Sequence, residues 1–313
     1  MIKRVTISLI VLSFTTLTNC TGELSKEEDQ IQIIPLSNYE LLQGNWVSIG
    51  ELDAHENPML FTFWNNTCSY IYPFGQYSTF EMIGDTLRIL ERGRIRQGDT
   101  LGGKLLYDFL LTNLNENRAI LTPINRESRD LLFHTDYADS TTITLQRIEK
   151  KNNIIPNVVS FGSTGCFGFC PSQVIEVDTN LNVKFVGGMY ANPEGSYSGT
   201  IDQGVYDRLL SLVNHLPVDS IQEHYSAGWT DDQTCGLYMV YGNDTLHTSA
   251  YGFDKEPIEL RLLFHFMMEL PQLAQLQPDT IDKYDIRGYA RFAKYFWGKI
   301  PSPPALPPPI IKE

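Results

Sequence analysis

No apolar run in this sequence reaches the ~18 residues that a membrane-spanning helix needs. Positive charge is also scarce. Lys and Arg number 24 against 37 Asp and Glu, for a formal charge of −13. A chain this acidic has no electrostatic case for nucleic acid or for anionic lipid headgroups. The usual ligating and catalytic patterns are missing too. None of His55, His134, His215, His224, His247 and His265 forms a His-x-x-x-His or His-Glu-x-x-His pair. No Gly-x-Ser-x-Gly elbow occurs. The glycine-rich stretch 162–168 lacks the Gly-Lys-Ser/Thr ending and the following helix of a phosphate loop. Asp231-Asp232 reads as a turn, and His265 as a core residue of an apolar helix.

What is present is enough hydrophobic material, 42% of residues with 12% aromatic, for packed cores. The 313 residues allow about two domains of ~150 residues each. The first twenty residues carry the strongest signal. Lys3 and Arg4 form a basic head, and 5–14 is an apolar core of signal-peptide length. The stretch Leu17-Thr18-Asn19-Cys20 then resembles the lipobox of bacterial lipoproteins, although Asn19 stands where Gly, Ala or Ser is usual. The resemblance implies removal of 1–19, lipidation of Cys20, and a globular body tethered to a membrane. Losing Lys3 and Arg4 would take the charge to −15. The acidic run Lys26-Glu27-Glu28-Asp29 in the tether 20–38 resembles surface-export signals of some Gram-negative bacteria, so the expected location is the outer membrane, at its periplasmic face or at the cell surface.

Residues 39–149 read as strand after strand, over 46–49, 59–64, 69–72, 77–83, 86–90, 105–111, 118–123 and 141–148, with turn residues at intervals of a barrel or sandwich. Gly84-Asp85 predicts a hairpin over 77–90. Leu42-Gln43-Gly44-Asn45-Trp46 resembles the L-x-G-x-W opening of small lipocalin-like lipoprotein domains. That resemblance implies a closed antiparallel barrel with Trp46 plugging one end. A barrel of that size can hold one small apolar ligand, with Trp46, Phe61, Phe63, Tyr70 and Phe109 as candidate lining, or the same aromatics can fill it.

After the linker 150–156 the pattern becomes α+β. Strands are predicted over 158–162, 173–178, 182–188 and 196–201, and a hairpin over 237–250 around Gly242-Asn243-Asp244. One helix is predicted from an Asp202 cap to about Leu216, and another from Pro257 to about Glu269, ending before Pro271. The segment 157–276 resembles an uncharacterised bacterial domain family marked by Cys-Phe-Gly-x-Cys-Pro, here Cys166-Phe167-Gly168-Phe169-Cys170-Pro171. The family implies a fold and no activity. A further helix over 281–297 and a proline-rich tail complete the expected organisation. The expected fold is thus a lipocalin-like barrel followed by a smaller α+β domain with an antiparallel sheet and two helices.

With Cys20 acylated, four cysteines remain. Cys166 and Cys170 pair by proximity, leaving Cys68 and Cys235, but three complete pairings are open. Two functional readings follow. The first is an envelope-anchored, non-enzymatic binding or interaction module with no cofactor, whose partner is a small apolar ligand or an envelope protein. The second is a thiol redox or copper-handling protein. Cys166-x-x-x-Cys170-Pro171 resembles the copper chaperones of cytochrome oxidase assembly, with His247 or His265 as a possible third ligand. A strand after Pro171 favours the first reading; a helix there would favour the second, because its dipole would lower the thiol pKa.

Overall fold

The computed structural model describes residues 36–52, 58–71, 76–91, 105–133 and 142–291. The leader, Cys20, the tether up to residue 35 and the proline-rich tail lie outside them. Eight strands make the first half: β1 (Gly44–Leu52), β2 (Pro58–Trp64), β3 (Thr67–Ile71), β4 (Gln76–Ile83), β5 (Thr86–Glu91), β6 (Leu105–Thr112), β7 (Arg118–Pro123) and β8 (Ile143–Arg147). Each pairs antiparallel with the next, and β8 returns to β1 to close a barrel. Asn65 and Gly84 supply the positive φ values, 52° and 60°, that tight hairpin turns require.

Alternation along the strands sends one side chain in two to the interior. Met59, Phe61 and Phe63 of β2, Leu87 and Ile89 of β5, and Phe109 and Leu111 of β6 meet there. A short helix not anticipated from the sequence, α1 (Asn38–Leu42), lies across one end. Ser37 and Glu40 form its capping box, and Leu42 drops into the barrel core. Asn38 reaches the β4–β5 turn through Asp85, and Gln43 reaches the β2–β3 turn through the carbonyl of Asn65. Arg147 completes this closure by donating to the carbonyls of Leu41, Gln43 and Glu116, with its guanidinium 4.2 Å from the Trp46 ring centre. Gly44 (φ +127°) is needed beside it, because a Cβ there would run into the Arg147 guanidinium. A second unanticipated helix, α2 (Arg126–Phe133), packs on β6 and β7.

The second half holds β9 (Val158–Ser163), β10 (Gln173–Asp178), β11 (Asn182–Gly187), β12 (Gly195–Thr200), α3 (Gln203–His215), β13 (His224–Ser226), β14 (Thr234–Tyr241), β15 (Asp244–Tyr251), α4 (Ile258–Leu273) and β16 (Gln275–Pro278). They form one sheet in the order β13-β15-β14-β9-β10-β11-β12-β16, antiparallel except for β13 on β15. Leu237, Phe161, Ile175 and Phe185 stand side by side on four neighbouring strands and are fully buried. Phe264 of α4 packs on this row, 5.8 Å from Phe161 between ring centres. Asp202 caps α3, as its position in the sequence predicts.

α4 is buried nearly all round because it is covered twice. On one side lies the sheet; on the other lies the barrel wall. Leu60, on the outer face of β2, belongs to the same core as Leu209, Leu262 and Phe266. That explains why β2 is buried on both faces, from Met59 to Phe63, where a barrel strand facing water would alternate.

Two expectations are corrected here. α4 does not stop before Pro271 but runs through it to Leu273. Pro271 sits in the last turn, where little helix remains to break, and it is buried. The chain leaving the helix is fixed at once by β16, which pairs with β12 at Gln275. The helix expected from Ile281 also starts late. Residues 283–285 form a 3-10 turn, Gly288 (φ +77°) lies against Tyr238, and helical backbone begins at Tyr289. This segment straps the sheet face opposite the helices: Ile286 and Tyr289 pack on Val174, and Arg287 N–H donates to the buried Glu176 at 2.6 Å.

Candidate docking surface

Five exposed apolar residues of the second half, four of them aromatic, gather at one end of its sheet. Phe167 is 90% exposed, Phe169 84%, Met189 66%, Tyr190 47% and Trp229 42%. Water-exposed apolar clusters of this kind mark interaction sites more often than scattered surface residues do. Three loops carry them, and each loop is fixed.

The first loop joins β9 to β10. Cys166 and Cys170 are disulfide-bonded across it, with Cα atoms 5.5 Å apart. Its two ends are tied by one buried amide: Gln233 Nε2 donates to the carbonyls of Thr164 and Pro171, at 2.8 and 2.9 Å. Ser163 Oγ adds a bond to the Pro171 carbonyl. The second loop joins β11 to β12. Its Met189 carbonyl accepts from Ser172 N–H, and Tyr190, at φ 62°, gives its N–H to Glu194. The Tyr190 ring meets Phe169 edge-on, 5.3 Å between centres. The third loop precedes β14. Asp231 (φ 73°) accepts from Phe167 N–H, and Trp229 Nε1 donates to Asp232 at 2.9 Å. Gly252 (φ +62°) lets that loop close down: a Cβ would stand 2.8 Å from Ala227 Cβ. The aromatics are thus held out in water by a frame of hydrogen bonds and one disulfide, with one ring contact between Phe169 and Tyr190.

The other predicted site residues fall elsewhere. Trp46, Phe61, Phe63 and Phe109 have no exposed surface; they fill the barrel, with Trp46 Nε1 donating to the Leu42 carbonyl at 2.7 Å. Tyr70 lies on β3 opposite Phe61; its side chain is outside the described residues. At the barrel end away from α1, residues 53–57, 72–75, 92–104 and 134–141 are also outside them. His247 sits mid-strand on β15, paired in register with Tyr238 and bonded to Glu223 at 3.2 Å. It does not share the loop end of the sheet with Cys166 and Cys170. Among the described residues, no three His, Cys, Asp or Glu side chains converge as metal ligands. Strand β10 follows Pro171 directly. Cys68 and Cys235 are free and buried, and burial pushes both thiols well above the ordinary range, which makes them poor nucleophiles.

A second polar cluster went unread in the sequence. Arg208 of α3 and His265 and Glu269 of α4 face Thr62 and Ser69 on the barrel's outer wall, around a cavity of about 10 Å³, room for about one water. Arg208 donates to Ser69 Oγ at 3.2 Å and lies over the Phe266 ring. Burial raises the Glu269 pKa to about 7, against the pull of Arg208. Burial likewise lowers that of His265 to about 3, with Arg261 adding to the effect. The cluster joins barrel to helices and is too small for a ligand.

The sequence carried only part of this. Arg208 and Glu269 sit on helix faces that an isolated α+β domain would leave in water, so their pairing with a barrel was hidden. The loop aromatics had a weak signal: two Phe residues among glycines and cysteines, with no period that could bury them. No helix among the described residues is long and apolar enough to cross a membrane. No curated protein matches the chain. Residues 157–271, which include all three loops, match the model of a domain of unknown function (DUF6438).

Proposed function

We propose that this chain is a non-enzymatic interaction module, lipid-anchored in a bacterial envelope through Cys20, that docks a protein partner on the three-loop surface. The observation that carries the reading is the exposure of Phe167 and Phe169 on a loop that a disulfide and the Gln233 amide hold rigid. Binding to a pre-organised surface avoids the ordering entropy that a mobile loop would lose. The thiol or copper reading has less support. Cys166 and Cys170 are joined, a strand follows Pro171, and His247 lies away from them.

The test places a photo-reactive phenylalanine analogue at Phe167 of the full chain in bacterial cells, with Ile155, also exposed, as the control position. One discrete adduct is expected from position 167 and none from 155. Equal labelling from both positions, or none from 167, overturns the docking surface. Membrane fractionation tests the anchor: Cys20→Ala should move the protein to the soluble fraction or leave it uncleaved. If a cleaved variant still partitions with membranes, the anchor is elsewhere.

A further inference from the structure

We infer that the partner at this surface is a cationic segment of protein in which Arg or Lys alternates with aromatic or aliphatic side chains. The inference rests on the docking reading above and adds its chemistry. The three loops, 162–172, 188–195 and 227–233, contain no Lys, Arg or His, and three acids: Glu194, Asp231 and Asp232. Across the adjoining turn, Lys255 is paired with Asp254 at 2.8 Å, and Glu256 with Arg261 at 2.6 Å.

Each acid is coupled to an apolar group or to the loop that presents it. The Asp232 carboxylate accepts from the Trp229 indole, the Glu194 carboxylate from Tyr190 N–H, and the Asp231 carboxylate from the Thr230 hydroxyl of its own loop. Trp229 and Tyr190 are therefore each presented next to a carboxylate. A guanidinium can lie on an exposed ring and still reach a carboxylate, a pairing that combines cation–π attraction with a charge-assisted hydrogen bond. A neighbouring apolar side chain would cover the two phenylalanines. An anionic bilayer meets the same surface with like charge and is disfavoured. A neutral apolar partner would leave the carboxylates to be desolvated without compensation.

The experiment pans a random 12-residue peptide library on the full chain carrying Cys20→Ala. Peptides that also bind the Phe167→Ser/Phe169→Ser variant are discarded. Both substitutions fall on exposed side chains, and an unchanged circular dichroism melt confirms that the variant is folded. The retained peptides are expected to hold an excess of Arg and Lys over Asp and Glu beside apolar residues. The synthetic consensus should lose about tenfold in affinity between 50 and 300 mM salt, and a similar factor against Glu194→Gln/Asp231→Asn. Retained peptides without a cationic excess would overturn the inference and leave the docking surface standing. Peptides that bind both proteins alike would overturn both. Vesicles of phosphatidylglycerol serve as the last arm: adsorption that requires Phe167 and Phe169 would also overturn the cationic-protein assignment.

Discussion

Phenylalanine has opposite fates in the two halves of this molecule. In the barrel, Phe61, Phe63 and Phe109 are fully buried and pack against one another and their neighbours. At the loop end of the second sheet, Phe167 and Phe169 stand almost wholly in water. The same side chain is core in one place and exposed surface in the other. What differs is the backbone beneath. Period-two strands deliver the barrel residues to the interior, whereas a glycine-rich loop closed by a disulfide holds its residues outside. The barrel is rigid because it is filled, and the loop is rigid because it is tied. On the proposed reading, the barrel is support and the sheet end makes the contacts.

The largest test of that contrast is Phe109→Ala. Removing a fully buried ring from a filled barrel should cost about 3–5 kcal/mol, read as a lower denaturant midpoint with an unchanged slope. A loss under about 1 kcal/mol would mean that the interior has slack, and would reopen the barrel as a ligand cavity. Next comes Cys166→Ser/Cys170→Ser. The bridge closes a loop of sequence separation 4, for which chain entropy predicts a loss of about 2 kcal/mol. Thermal unfolding measures it. An unchanged melt would assign the loop's rigidity to Gln233 and Asp231 instead of the bridge.

A smaller effect is expected where the halves meet. Glu269 keeps its proton more tightly in the folded chain, with a pKa of about 7 against an ordinary 4.5. Its contribution to stability is therefore full below pH 4.5 and lost as pH rises to about 7. His265, lowered to about 3, contributes in the opposite sense: full above about 6.5, lost as pH falls toward 3. Between pH 4.5 and 6.5 the two slopes oppose each other, and their joint effect is close to flat. Glu269→Gln removes one of them. The variant should gain on the order of 1 kcal/mol above pH 7, the full shift being reduced by solvent contact at this side chain, and should lose stability on acidification from pH 6.5 to 4.5 where the parent does not. Denaturant midpoints across pH 4–8 decide it. Parallel curves for parent and variant would remove Glu269 from the interface.

How much of this was legible follows the same division. All eight barrel strands and the hairpin at Gly84-Asp85 were visible, because a two-residue period and turn chemistry are local. The cap at Asp202 was visible for the same reason. Helix α1 was missed although Ser37 and Glu40 spell a capping box, since five residues give no apolar period. Pro271 misled because a local rule met a long-range constraint: pairing of Gln275 with Thr200 holds the helix end in place. The cluster of Arg208, His265 and Glu269 was out of reach, because its reason is a barrel wall, at Thr62 and Ser69; Ser69 is 139 residues from Arg208 in sequence and further still from His265 and Glu269. The docking surface was half legible. The cysteine motif marked the loop, but only the register of Cys235 with Ser163 and of Gln173 with Gly187 shows that three loops meet at one end.

The smallest expected effect sharpens the comparison most. Phe167→Ser removes a side chain that is 90% exposed and should change stability by no more than about 0.5 kcal/mol. The same ring type at position 109 carries about 3–5 kcal/mol, so the two substitutions form a matched pair measured in one buffer by one method. Near-equality would break the contrast. A loss above about 1 kcal/mol at 167 would mean that the ring packs against something in solution, and concentration dependence would identify a second copy of the chain as its cover. A neutral result, combined with loss of the adduct when Phe169→Ser accompanies the photo-reactive residue at 167, separates contact from stability. A ring that adds nothing to folding and is required for capture is held in water for the partner alone.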